Sequence, residues 1–399
     1  MAMERRAAIV LVLPDGSVVG RLPPLPVATP WWQETEPVVA AVRARHGIEI
    51  TVLRLLQAEL DAPPGGTVTY LAETPQPVAA VETWRGALDA HPLRLPYAKP
   101  GGPAADLEWA ESVLAGRGLM PIGAPVQIRT WNLSSLWRIP LRHSAAWLKV
   151  IPGFLSPEGA LLRRLAGPHA PRLLGHDGTR SLIADIPGND LYDAPLPVLQ
   201  EMVALLAAMQ QEWRGRAEAL LDLGLSDYRG PALSVMIGSV FERNADALSA
   251  DDREVLAAFV ADLPERFARL TECGLPDTLI HGDFHPGNFR GDGKSLVLLD
   301  WADSGIGHPL LDQPAFLSRV QADAMAPVRA HWIAQWKKHA PGSDPQRAEA
   351  LLAPIAAARQ AAIYQRFLDN IEPSEHPYHR GDPQAWLERT AALRAEQVE

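Results

Sequence analysis

The chain is poor in the residues that announce a covalent or metal scaffold. It has one cysteine, Cys273, so an internal disulfide is impossible, and no Cys/His spacing matches a zinc site. Cys273 reads as a small buried apolar residue at a helix end. Long apolar runs are missing too, since no stretch approaches the roughly 18 residues of a membrane helix. The opening MAMERRAAIVLVLPDG holds two arginines and then a short apolar run that breaks at Pro14-Asp15-Gly16, which reads as a strand and turn rather than a secretory leader. The expected location is cytoplasmic. Positive charge is scarce: 37 Lys and Arg against 47 Asp and Glu leave a formal net charge of −10. That balance argues against a sequence-independent nucleic-acid binder, which needs clustered cations to neutralise phosphate. An anionic substrate would need a local basic patch.

With 47% apolar and 21% charged residues, the composition is that of a folded globular protein. A length of 399 residues exceeds one ordinary core, so two or three domains are expected. Residues 1 to about 95 read as a small domain, with strands over Ala7–Leu13 and Thr67–Ala72 and a helix over Glu36–His46 closed by Gly47. His91–Asp106, rich in proline and glycine, reads as the linker. Val126–Pro152 predicts three antiparallel strands, with turns at Asn132–Ser135 and His143-Ser144. Ser156-Pro157-Glu158 opens a helix through Leu165, because a serine cap, a first-position proline and an acid in the first turn agree. Leu182–Ile186 is a further strand. Beyond Asp193 the apolar spacing turns helical in LPVLQEMVALLAAMQQEW, DDREVLAAFVADLPERFARL and QRAEALLAPIAAARQAAIYQRFLDNI.

HGDFHPGNF, His281–Phe289, carries the chemistry. Asp283 and Asn288 lie either side of Pro286-Gly287, which turns the chain so that both side chains can face one cavity. Asp300 closes the stretch SLVLLD, at the C-terminal end of the strand. One carboxylate to orient a hydroxyl, plus hard oxygen donors for Mg²⁺ on nucleotide phosphates, is the inventory of phosphoryl transfer. The spacing matches the H-x-D-x-x-x-x-N loop of protein kinases, with Asp300 in the place of their D-F-G aspartate. Together with LVLLDWADSGIGHPLLDQ, the loop resembles the paired signature of the aminoglycoside phosphotransferase and choline kinase-like family over roughly Ile122–Asn370. The resemblance implies an α+β, bilobal protein-kinase-like fold: an antiparallel-sheet N-lobe over residues 101–190 and a helical C-lobe over 191–399, preceded by an accessory domain over 1–100. It implies ATP, with GTP possible, and Mg²⁺ as cofactors. Asp283 would be the catalytic base, Asn288 and Asp300 the metal ligands, and His281 and His285 the braces of the loop. Asp312 matches an aspartate that is usually structural.

Upstream, Lys149 sits inside an apolar strand, where an ammonium is costly unless paired, and Glu158 is the partner to expect. In the family such a pair serves the α- and β-phosphates. Backbone groups of Ala184 and Ile186 would lie near adenine. The turn Asn132–Ser135 lacks the glycines of a phosphate-covering loop, but its N–H groups and the hydroxyls of Ser134 and Ser135 could cradle phosphate. Trp301 reads as packing and Glu375–Asp382 as a solvated loop. A small-molecule hydroxyl acceptor would bind between the catalytic loop and the C-terminal helices. Asp303, Asp369 or Glu372 would suit a cationic one. Residues around ETEPVVAAVRARHGIEI resemble a Nudix domain, yet Ala40, Ala41, Ala44 and Arg45 stand where the box has its Arg-Glu and Glu-Glu, so such a domain would lack hydrolase activity. The rival reading is a nucleotide-binding pseudokinase.

Overall fold

An apolar run with few polar interruptions can only be satisfied by burial on both faces, and Arg5–Val12 becomes such a strand, β1, with every residue but Arg6 buried. The computed structural model describes residues 4–78 and 82–396. Strand β1 pairs antiparallel with β2 (Val18–Val27). Helix α1 (Glu36–His46) and strand β3 (Thr51–Ala58) follow, and β4 (Gly66–Glu73) pairs parallel with β1 and antiparallel with β3. Helix α1 occupies the residues expected of it: Gly47 closes it at φ 68°, donating its N–H to Arg43 O at 2.9 Å. Strand β2 escaped the sequence reading because Pro23, Pro24 and Pro26 argue against a strand; it lies at the sheet edge, where a missing N–H breaks no ladder.

The chain divides into two compact units. The first comprises Met1–Gly159, Arg172–Asp185 and Arg366–Arg380. Besides the sheet above it holds α2 (Gly102–Ala115), β5 (Val126–Trp131), β6 (Ser134–Pro140), β7 (Ala145–Val150), the start of α3 (Pro157–Arg164), β8 (Leu173–Asp177) and β9 (Arg180–Ala184). These strands form an antiparallel sheet in the order β5-β6-β7-β9-β8. The linker expected over His91–Asp106 ends early: Tyr97 is buried, and from Gly102 the chain is helical, since Pro103 at the first turn needs no intrahelical N–H. The two sheets are joined by Gln127, whose Oε1 accepts from Val52 N at 2.9 Å while Nε2 donates to Val52 O at 2.7 Å. One side-chain amide thus acts as a strand residue would.

Glu375–Asp382 is not a solvated loop. Glu375, Tyr378 and His379 are all buried. Tyr378 enters the core of the first sheet, edge-on to Trp32 at 5.7 Å and Trp131 at 5.5 Å. Glu375 Oε1 accepts from Leu55 N at 2.8 Å, and Glu372 meets Arg94 at 2.8 Å and Arg54 at 3.4 Å. The edge strand β3 offers N–H groups that need partners, and a segment far along the chain supplies one. Burial pushes the Glu375 carboxyl up to about 8, with the neighbouring Glu372 charge adding to it and the Leu55 N–H and Arg54 opposing.

The second unit comprises Ala160–Pro171, Ile186–Gln365 and Gly381–Glu399. Its helices are α4 (Leu196–Glu212), α5 (Ala217–Leu221), α6 (Gly230–Asn244), α7 (Ala250–Glu272), α8 (Gln313–Leu317), α9 (Ala322–His339), α10 (Pro345–Asn370, of which 366–370 fall in the first unit) and α11 (Asp382–Ala395). The three long helical patterns of the sequence are α4, α7 and α10. Cys273, buried as expected, caps the end of α7. Two short sheets complete the unit. One is β10 (Asn189–Asp190), β13 (Phe289–Gly291) and β14 (Leu296–Leu298); the other is β11 (Ser226–Asp227), β15 (Gly305–Gly307) and β12 (Thr278–Ile280). Among the described residues no helix is long and apolar enough to cross a membrane.

Glu375 generates a stability prediction. Glu375→Ala leaves the buried Leu55 N–H unpaired and should cost about 1–3 kcal/mol in chemical denaturation. The folded carboxyl titrates near 8 against an ordinary 4.5, so the folded chain holds this proton more tightly than the unfolded one. Stability from this group is full below the unfolded value and declines as pH rises toward the folded one. Glu375→Gln, which cannot ionise, should therefore flatten the Tm profile over that window and gain on the parent toward alkaline pH. Parallel profiles would refute this.

Candidate active site

The catalytic loop is placed by topology. Strand β12 leads from its sheet into His281–Asn288, which delivers the chain to β13 in the other sheet; β14 then hands on to Leu299–Ser304, which returns to β15 beside β12. Both segments cross between the same two sheets and are bonded side by side. Leu299 N donates to Asn288 O at 2.7 Å, His281 Nε2 meets Leu299 O at 2.8 Å, and Ser304 Oγ donates to His281 O at 3.2 Å. Asp283 and Asp300 therefore ride on adjacent crossings, and, after that of Asp312, the charges of both act on the buried His281 ring.

Close approach demands glycine at position 282, whose φ is +93° and where a Cβ would sit 2.1 Å from Asp303 O. Asp300 is the one non-glycine residue with positive φ among the described residues, at 58°. Aspartate tolerates that region better than most side chains, and such a conformation persists only where the surroundings hold it. Asp312, 1% exposed, clamps the start of the other crossing. Its Oδ2 accepts from His281 N at 2.9 Å and Gln210 Nε2 at 3.1 Å, and its Oδ1 accepts from Gly282 N at 2.8 Å. Phe284 anchors the loop, stacked on Phe316 at 4.9 Å and edge-on to Trp332 at 5.6 Å. Trp301 packs as expected, buried and edge-on to His281 at 4.7 Å.

The two histidines share one arrangement. His281 Nδ1 accepts from Asp283 N at 3.3 Å, so Nε2 carries the proton toward Leu299 O. Burial holds this imidazole below its usual pKa. His285 Nδ1 accepts from Gly287 N at 3.1 Å, which turns its Nε2–H toward Asp283 Oδ2 at 3.5 Å. Asn288 Nδ2 donates to Asp283 O at 2.8 Å and to Oδ2 at 3.2 Å. Partial burial would raise the Asp283 carboxyl, but His285, then His281 and Asn288, outweigh it and hold the group down to about 2. The side chain keeps 47% of its surface exposed, so solvent screens these effects and they convert to little stability.

In the first unit, Lys149 lies on β7 and its Nζ meets Glu158 Oε1 at 2.8 Å. Asn132 is buried in its turn, its Nδ2 donating to Glu375 O at 3.3 Å while its Oδ1 meets His379 Nε2 at 3.2 Å. Ser134 Oγ accepts from Trp131 Nε1 at 3.0 Å; Ser135 is buried, with Oγ accepting from Trp137 Nε1 at 3.0 Å. Ala184 N–H is taken by Arg172 O at 2.9 Å. In the second unit, Ile186 O accepts from Arg290 Nε at 3.2 Å.

A cavity of about 540 Å³ in the second unit opens onto Asp283 and His285 and runs along α8, α10 and α11. None of Asp303, Asp369 and Glu372 lines it. Glu372 is corrected outright: it is buried between Arg54 and Arg94. The sequence reading missed Gln210, Ser304 and Tyr364, which reach the site from helices or turns without any local motif.

The profile of the phosphotransferase enzyme family, APH, matches residues 148–351, just over half of the chain and a span containing Lys149, Glu158, Asp283, Asn288 and Asp300. No curated protein matches. Among solved structures, a choline/ethanolamine kinase family protein from Mesorhizobium loti superposes with a TM-score of 0.50 at 16% identity, covering 72% of this chain and 94% of that one. The macrolide 2'-phosphotransferase MphH from Brachybacterium faecium gives 0.49 at 16% identity, covering 72% and 97%. The first likeness is one of fold, and it bears out the α+β, protein-kinase-like architecture. The chain belongs to the phosphotransferase enzyme family.

Proposed function

We propose that this phosphotransferase moves the γ-phosphoryl group of ATP to a hydroxyl of a small molecule. The observation that carries the reading is the pair of bonded crossings, which brings the Asp283–Asn288 loop beside the turn of Asp300. His285 and Asn288 both engage Asp283 Oδ2, which leaves Oδ1 for the acceptor hydroxyl. A carboxylate held near 2 is too weak a base to strip a hydroxyl in the ground state. Its work is to orient the nucleophile and to take the proton as the new P–O bond forms, which suits a loose transition state.

The residues fit a magnesium ion. Asn288 spends its amide nitrogen on Asp283, which turns its oxygen to the role of a hard donor, and Asp300, an exposed residue, would add a carboxylate oxygen. When bound, Mg²⁺ neutralises the phosphate charge. Lys149, steadied by Glu158, supplies charge to the α- and β-phosphates, and GTP could take the same contacts. The Ser134 and Ser135 hydroxyls already serve indoles, so the turn would contribute backbone N–H groups more readily than side chains. Ala184 and Ile186 keep their proposed place beside the base, through whichever backbone groups Arg172 and Arg290 do not use. Residues 1–100 serve as an accessory domain, Nudix-like and without the box carboxylates.

Asp283→Asn should lower kcat for phosphoryl transfer by about 10²–10⁴-fold while leaving the ATP KM within a few-fold. Full turnover by this variant would sink the proposal, and nucleotide binding without turnover by the unsubstituted protein would favour the pseudokinase. Asp312→Asn presents an NH₂ where two backbone N–H groups need acceptors, so it should lower kcat and Tm together, by about 1–3 kcal/mol of stability. Unchanged activity and Tm would show that the clamp is dispensable.

A further inference from the structure

The cavity beside Asp283 has a charge pattern that the sequence did not suggest. Its volume, about 540 Å³, falls within the range of roughly 300–1,000 Å³ usual for small-ligand sites. Leu310, Leu311, Leu352, Ala356, Ala357 and Trp386 make much of its wall apolar. Five charged residues line it: Asp283, Glu349, Arg319, Arg329 and Arg389. Arg329 and Glu349 satisfy each other at 2.7 Å. Asp283 is committed to the reacting hydroxyl. Arg319 and Arg389 are left, a local excess of positive charge in a chain whose net charge is −10. Arg389 reaches Glu396 only at 3.9 Å, and both side chains are more than half exposed, so that pair does little to neutralise it. Asp303 and Asp382 lie close enough to act on the Tyr364 hydroxyl but do not line the cavity.

From this we infer that the acceptor is an amphipathic hydroxyl compound with an apolar body and an anionic group, held by Arg319 and Arg389, rather than a polycation. The inference rests on the reading of Asp283 as the residue that receives the hydroxyl. A guanidinium offers a planar fork that carboxylate or phosphate oxygens fill two at a time. An acceptor bearing several ammonium groups would meet these arginines unpaired, with no carboxylate on the wall apart from the catalytic one and the one Arg329 holds.

A matched series tests it on the full chain: ω-hydroxydodecanoate, dodecanediol and ω-aminododecanol share a body and a hydroxyl and differ in the charge at the far end. Titration calorimetry with a non-hydrolysable ATP analogue and Mg²⁺ should rank them in that order. The hydroxy acid should bind about tenfold more tightly than the diol, the worth of one charge-assisted contact. Arg319→Ala with Arg389→Ala, both exposed side chains whose loss should leave the fold intact by circular dichroism, should erase that advantage. Tightest binding by the amino alcohol or by kanamycin, equal binding of all three, or binding by none would overturn the inference. Because binding is scored without turnover, the two readings can fail separately. Selective binding of the hydroxy acid with no phosphoryl transfer would remove the kinase reading alone; transfer to kanamycin in preference to the hydroxy acid would remove the acceptor class alone.

Discussion

Everything at the candidate site depends on one constraint: two chain segments that cross between the same pair of short sheets must lie in hydrogen-bonding register. The Leu299–Asn288 backbone bond and the His281 side chain enforce it. If the register slipped, Asp300 would lose its left-handed backbone and its place beside the Asp283 loop. The strands themselves are only three residues long, too short to fix anything alone, so the holding is done by polar groups buried among aromatic rings.

The polar groups that hold the loop have specific partners. Asp312 takes two backbone N–H groups and an amide from another helix, which rigidifies the loop because each partner lost would leave a buried donor bare. His281 and His285 each use Nδ1 to receive a backbone N–H and Nε2 to reach outward, so the loop geometry selects the tautomer. The same logic appears far from the chemistry, where Gln127 and Glu375 bond the backbone of β3.

How much could be read beforehand follows from range. The meeting of Asp283 with Asn288 was legible because the turn that gathers them is local, and the position of Asp300 because it ends a visible strand. Helix α1 and the opening of α3 were legible because capping is local as well. Strand β2 was hidden by its prolines, which only the edge position excuses. Glu375 was misjudged because its partner Leu55 lies 320 residues away, and a hydrophilic, proline-flanked stretch looks solvated until a distant strand edge claims it. The basic lining of the cavity was equally hidden, since Arg319, Arg329 and Arg389 sit on three separate segments among ordinary surface charges.

Metal occupancy tests the central claim most directly, that Asn288 and Asp300 serve one ion on a nucleotide held beside Asp283. With Mn²⁺ in place of Mg²⁺ and a non-hydrolysable ATP analogue bound, electron paramagnetic resonance should show one tightly held ion per chain. Asp300→Asn and Asn288→Ala should each weaken that ion while the analogue still binds. Undiminished Mn²⁺ affinity in both variants would contradict the account.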